Sequence, residues 1–117
     1  MNMRKAMMVF AVLGLAGAVA ASACDAPAGV TDIPDGMTAT RDAMVAAQKA
    51  VVAYDAAVKT YSACLQDEQK KRVAAGGDRS QIEDQYAKLQ NTEVARLEKT
   101  AKQFNEALKS FKARNAS

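Results

Sequence analysis

Histidine is absent from the 117-residue chain, and with it go the commonest general base and the commonest transition-metal ligand. Tryptophan is absent too, and aromatic residues make up only 5% of the sequence. Half of the residues are hydrophobic, but alanine dominates that half, so the apolar volume available to a core is smaller than the fraction suggests. Cysteine occurs twice, as Cys24 and Cys64, without the close spacing of a zinc site. No serine or cysteine stands in a nucleophile motif, and no glycine-rich phosphate loop follows a strand pattern. Charge of one sign is not in excess either, with 16 basic residues against 13 acidic ones. Setting aside Arg4 and Lys5 at the extreme N-terminus leaves 14 against 13, too even a balance to point to nucleic acid as a partner. The expectation from these absences is a single small domain that is not an enzyme and holds neither cofactor nor metal.

What is there begins with Arg4 and Lys5, then an uncharged run over residues 6–20, then Ala21-Ser22-Ala23. A basic start, an apolar run and small residues at an A-x-A site make a secretory signal peptide over residues 1–23, cleaved after Ala23. The run is short for a hydrocarbon core that takes about 20 residues to cross, which argues against a retained anchor. The expected destination is the periplasm.

Cleavage there makes Cys24 the first mature residue, and two fates follow. Ala21-Ser22-Ala23-Cys24 resembles a lipobox, in which Cys24 would be acylated and the protein held at an envelope membrane; lipoboxes usually carry Leu where Ala21 stands. Alternatively, Cys24 forms a disulfide with Cys64, as an even cysteine count in an oxidising compartment suggests. Reach permits it. Cys64 falls about 36 Å along the helix described next, and the chain from Cys24 to Thr40 spans about 50 Å when extended.

Residues 24–37 contain Pro27, Gly29, Pro34 and Gly36 and should form an extended arm, with a turn at Pro34-Asp35-Gly36. Asp25, Asp32 and Asp35 make the arm acidic but lack the ligand spacing of a calcium loop. In residues 38–75, Met44, Ala47, Val51, Tyr54, Val58, Tyr61 and Leu65 recur at alternating intervals of three and four, one stripe of a helix over 39–75. Thr38 or Thr40 can cap its start, and Gly76-Gly77 ends it. Ser80-Gln81-Ile82-Glu83 has capping-box spacing and opens a second helix over 81–114. Its stripe is Ile82, Tyr86, Leu89, Val94, Leu97, Ala101, Phe104, Leu108 and Phe111. The interval between Leu89 and Val94 breaks the rhythm and reads as a stutter or a shift of the buried face. Two helices of similar length with a short connection predict an all-α fold over 38–117, an antiparallel two-helix hairpin of coiled-coil character behind an extended arm.

Cys24, Pro34-Asp35-Gly36, Ala39-Thr40, Met44, Ala47-Gln48, Val51, Tyr54, Tyr61 and Cys64-Leu65 together resemble a group of small exported proteins of Gram-negative bacteria. The resemblance covers about 40 residues and leaves the second helix largely unmatched. It implies export and pairing of the two cysteines, and it implies no activity.

Tyr54 and Tyr61 invite comparison with a ligand-stacking pair, but their place on the apolar stripe makes them core residues. From Val94 onward six basic residues accompany Glu98 and Glu106, so this segment could meet anionic lipid through Phe104, Leu108 and Phe111; the competing reading is a packed helix end with cations near its negative pole. The functional expectation is a periplasmic interaction or structural protein that binds itself or another protein. A lipoprotein acylated at Cys24 and a periplasmic holdase are the alternatives. Membrane contact is expected only through acylated Cys24 or the basic C-terminal helix.

Overall fold

The computed structural model describes residues 24–116. The expected signal peptide and its cleavage point at Ala23 lie outside the described residues. Two helices follow the arm: α1, Arg41–Ala74, and α2, Arg79–Ala116. Both boundaries come within two residues of the sequence reading, and the caps explain them. Thr40 is the N-cap of α1, its side-chain oxygen accepting from the Ala43 amide at 3.0 Å, with Asp42 in the first turn near the positive pole. At the other end the Gly77 amide donates to the Arg72 carbonyl and the Gly76 amide to the Val73 carbonyl, the paired bonds of a Schellman motif. Gly76 supplies the left-handed residue that motif needs, at φ 100°.

The cap of α2 is Asp78 and not Ser80. The Asp78 carboxylate accepts from the Gln81 amide at 3.2 Å, so the helix starts earlier than the Ser80 box placed it. Asp78 and Gln81 have the same three-residue spacing, and aspartate caps as well as serine does. Glu83, the far member of the expected box, lies 3.6 Å from Arg79.

The two helices pack antiparallel along the α1 stripe read from the sequence: Met44, Ala47, Tyr54, Val58, Tyr61 and Leu65 are all buried. Leu65 is fully enclosed. Near the interhelical turn, Tyr61 and Leu65 meet Ile82, Tyr86 and Cys24; at the open end, Met44 and Ala47 meet Phe104 and Ala107. On α2 the expected stutter does not occur. The seam continues from Tyr86 through half-buried Gln90, then Glu93, Leu97 and Thr100 to Phe104, still in threes and fours, and Glu93 and Thr100 are buried. Leu89 and Val94, which suggested the break, are each 43% exposed. Polar residues occupy three seam positions, and a search for apolar residues passes over them.

The arm lies against both helices. Ile33 and Ala39 pack on the open-end cluster. Asp35 shapes the turn, its carbonyl accepting from the Thr38 and Ala39 amides and its carboxylate from the Met37 amide. Gly36 is seated so closely on α2 that a Cβ there would fall 1.9 Å from the Ala107 carbonyl oxygen. Arg114 closes this end, donating to the carbonyls of Met37 and Ala39 at 2.8 Å each. Among the described residues no helix is long and apolar enough to cross a membrane.

Gly36→Ala therefore forces the turn off α2, and the expected loss is about 1–3 kcal/mol with a lowered melting temperature. Gly76→Ala meets no neighbour and is expected to lose only the left-handed penalty, about 1 kcal/mol. Thermal denaturation of both variants checks this; a smaller loss at Gly36 than at Gly76 would contradict the close seat of the turn.

Candidate functional site

Three features distinguish this hairpin from a bare pair of helices: a covalent strap, a buried polar node and an open groove. The strap is the disulfide between Cys24 and Cys64, with Cα atoms 5.8 Å apart. Cys64 projects from α1, and the arm returns from there toward the N-terminus of the same helix. In the chain-entropy account, closing a loop with a sequence separation of 40 stabilises by about 3–4 kcal/mol. A sulfur in this bond cannot at the same time carry a lipid thioether.

The polar node sits midway along the seam. Glu93 is only 4% exposed. Its Oε2 accepts from the Tyr54 hydroxyl at 2.5 Å, across the helix interface. Arg96, one turn further along α2, donates from Nη1 to both carboxylate oxygens at 2.9 and 3.1 Å. The charge is thus hydrogen-bonded and paired, as a buried carboxylate must be. The arm joins the same node: a Cβ at Gly29 would lie 2.7 Å from Arg96 Nη2, so the arm backbone rests on the guanidinium. Tyr54, Glu93, Arg96 and Gly29 bring α1, α2 and the arm to one point.

Burial pushes the Tyr54 hydroxyl above the ordinary tyrosine range, and the hydrogen bond and charge of Glu93 push it the same way against a smaller opposing pull from Arg96. Tyr61 is raised by burial and by the charges of Glu93 and Glu68. Tyr86 is raised by burial and by Glu68, with Arg72 opposing; the Arg72 guanidinium lies 5.8 Å from the Tyr86 ring centroid. All three phenols are thus held in the neutral form, and Tyr54 serves the node as a hydrogen-bond donor.

The groove runs between the arm and α1. Residues 27–34 form one wall, and Ala43, Ala46, Ala50, Ala53 and Ala57 form the floor. Its volume is about 940 Å³. Among the described residues no group of three Cys, Asp or Glu side chains is placed to hold a metal ion.

Of the residues singled out in the sequence, Cys24 and Cys64 are joined, and Tyr54 and Tyr61 are buried in the seam. Phe104 is buried, and Leu108 and Phe111 pack against the same open-end cluster. Sequence reasoning missed Glu93 and Arg96, because the apolar stripe read on α2 passes over both. The signal was present: Glu93 stands seven residues after Tyr86, at a core position, with a cation three residues on.

These features define the chain as a disulfide-strapped antiparallel helical hairpin. No protein family, no characterised protein and no solved structure matches it.

Two outcomes follow from the node. Tyr54→Phe removes the cross-helix donor to the buried Glu93 carboxylate, leaving Oε2 only its 3.1 Å contact with Arg96, and should cost about 1–3 kcal/mol, whereas Tyr54→Phe combined with Glu93→Leu removes both partners and should recover most of that loss. Denaturant midpoints of the single and double variants measure the difference.

The raised tyrosines also fix a pH dependence. The unfolded chain releases these protons near pH 10 and the folded chain only above that. Stability is therefore complete below about pH 10 and falls as pH rises through the raised folded values. Denaturant midpoints on either side of pH 10 should show the decline, and Tyr54→Phe should make it shallower.

Proposed function

We propose that this is a small exported helical protein of the periplasm that acts by binding or by structure and not by catalysis. The observation that carries the reading is the Cys24–Cys64 disulfide. Such bonds persist in oxidising compartments and are rare in reducing ones, which agrees with the signal-like start of the sequence. The arm carries few apolar side chains and relies on the bond for its place, so the folded form belongs where thiols stay oxidised. The interaction reading is supported by the open groove and by exposed apolar side chains, among them Val52 at 62% and Met37 at 56%. Its partner is a second copy or another protein.

Intact-mass spectrometry of the protein purified from its native host tests this reading. The expected mass is that of a chain beginning at Cys24 and lighter by two hydrogens than its reduced form, recovered in the aqueous osmotic-shock fraction. A mass raised by a diacylglycerol and a further acyl chain would replace the soluble reading with a membrane tether. A retained N-terminus in the cytosolic fraction would overturn export altogether. Crosslinking of the shock fraction then tests for a partner; a monomer with no crosslinked product would remove the interaction reading.

A further inference from the structure

Residues 25–33 belong to no helix, strand or turn and run from the Cys24–Cys64 bond past Arg96 at Gly29, and among the described residues none of their backbone amides or carbonyls is hydrogen-bonded within the chain. Gly29, Val30 and Ile33 in this stretch are half-buried. Backbone groups partly withdrawn from water ordinarily find partners, and a row of unpaired groups on an extended chain is a template for another strand. Beside this edge lies the alanine floor of α1, whose short side chains let a second backbone come close without a clash. The floor offers mainly methyl groups, and its one polar side chain, Tyr54, has its hydroxyl engaged by Glu93, unlike most small-ligand pockets. Apart from the Thr31 and Asp32 side chains, the hydrogen-bonding capacity is main-chain, in a row along the arm, which matches another extended polypeptide.

Charge narrows the choice further. Asp25, Asp32 and Asp35 are exposed along the arm, and none forms an ion pair with a described residue. Asp32 lines the groove, and Asp25 borders the cavity beside the disulfide at its far end. The wall of the groove is therefore negative while its floor is neutral, and complementary charge selects a cationic occupant.

We propose that the groove docks an extended, basic segment of a partner polypeptide. The segment adds a strand to the free edge of residues 25–33, lays small side chains on the alanine floor and presents lysine or arginine to Asp32, which lines the groove, while Asp25 adds negative charge at its end. This mode of recognition takes affinity from main-chain bonds and specificity from alternate side chains. It rests on the reading of the protein as an interaction module and names the partner's chemistry.

The test is a titration of the isotope-labelled, disulfide-bonded protein, followed by NMR, with three synthetic peptides of about eight residues, long enough to lie along the arm at about 3.4 Å per residue. One alternates lysine and alanine, one alternates glutamate and alanine, and one is the lysine peptide with alternate backbone nitrogens methylated. The lysine peptide should shift the amides of the arm and the methyls of Ala46, Ala50 and Ala53 saturably, and should slow hydrogen exchange in the arm. The glutamate peptide should bind at least about tenfold more weakly, since unlike charges on the arm are replaced by like ones. The methylated peptide should lose binding, because it cannot complete the main-chain pairs. Ala50→Gln, at an exposed helical position that tolerates glutamine, should keep the melting temperature and lose the lysine peptide.

No saturable shift with the lysine peptide, shifts confined to another surface, or equal binding by the glutamate or methylated peptide would each overturn the proposal. So would concentration-dependent shifts of the same signals without peptide, which would make a second copy the occupant. None of these results bears on export or on partner crosslinking, so failure here and failure of the exported-protein reading are told apart.

Discussion

The bond between Cys24 and Cys64 is the constraint on which the placement of the arm depends. Each arm residue held in one backbone conformation costs about 1–2 kcal/mol in lost freedom, while a half-buried side chain such as Ile33 returns less than full burial would, which is about 1.5–3 kcal/mol. Apart from Cys24 and Ile33, the arm contributes little to the cores. Its path is therefore fixed at its ends. Cys24 is fastened to α1 toward the interhelical turn, and the turn at Asp35 and Gly36 is seated on α2 and clasped by Arg114. Between those points the arm rests on the Arg96 guanidinium and leaves an edge open beside α1.

The polar node solves a different problem. An alanine-rich antiparallel pair has several registers of similar apolar burial, because small side chains discriminate poorly between neighbours. Glu93 removes that ambiguity. Sliding one helix by a heptad would separate its carboxylate from the Tyr54 hydroxyl and leave a buried charge with one donor fewer, a penalty of about 1–3 kcal/mol. The node thus trades some apolar contact for one defined alignment of the helices.

Much of the fold was legible in the sequence because alternation in threes and fours is a direct consequence of helical geometry. Each buried residue of α1 lies on the stripe read from spacing alone, and the Gly76-Gly77 stop closes with the hydrogen bonds expected of it. The pairing of Cys24 with Cys64 was legible as one of two fates for Cys24. The centre of α2 was not. There the seam passes through Glu93 and Thr100, and Glu93 takes its cross-helix donor from a tyrosine on the other helix, a partner that the spacing on α2 does not by itself report. Leu89 and Val94 drew attention as apolar residues out of step, yet each remains substantially exposed. The groove was illegible for a related reason: Ala43, Ala46, Ala50, Ala53 and Ala57 read simply as good helix formers, and only the path of the arm turns them into a floor.

The bond joining the arm to α1 has a consequence for biogenesis. With Cys24 and Cys64 the only cysteines in the whole chain, oxidation within one molecule has a single possible product. No mispaired isomer exists for a shuffling catalyst to correct, so maturation needs only a thiol oxidant and the encounter of the two sulfurs. Cys64 emerges from synthesis 40 residues after Cys24, which sets the shortest length of nascent chain from which the linkage can be made.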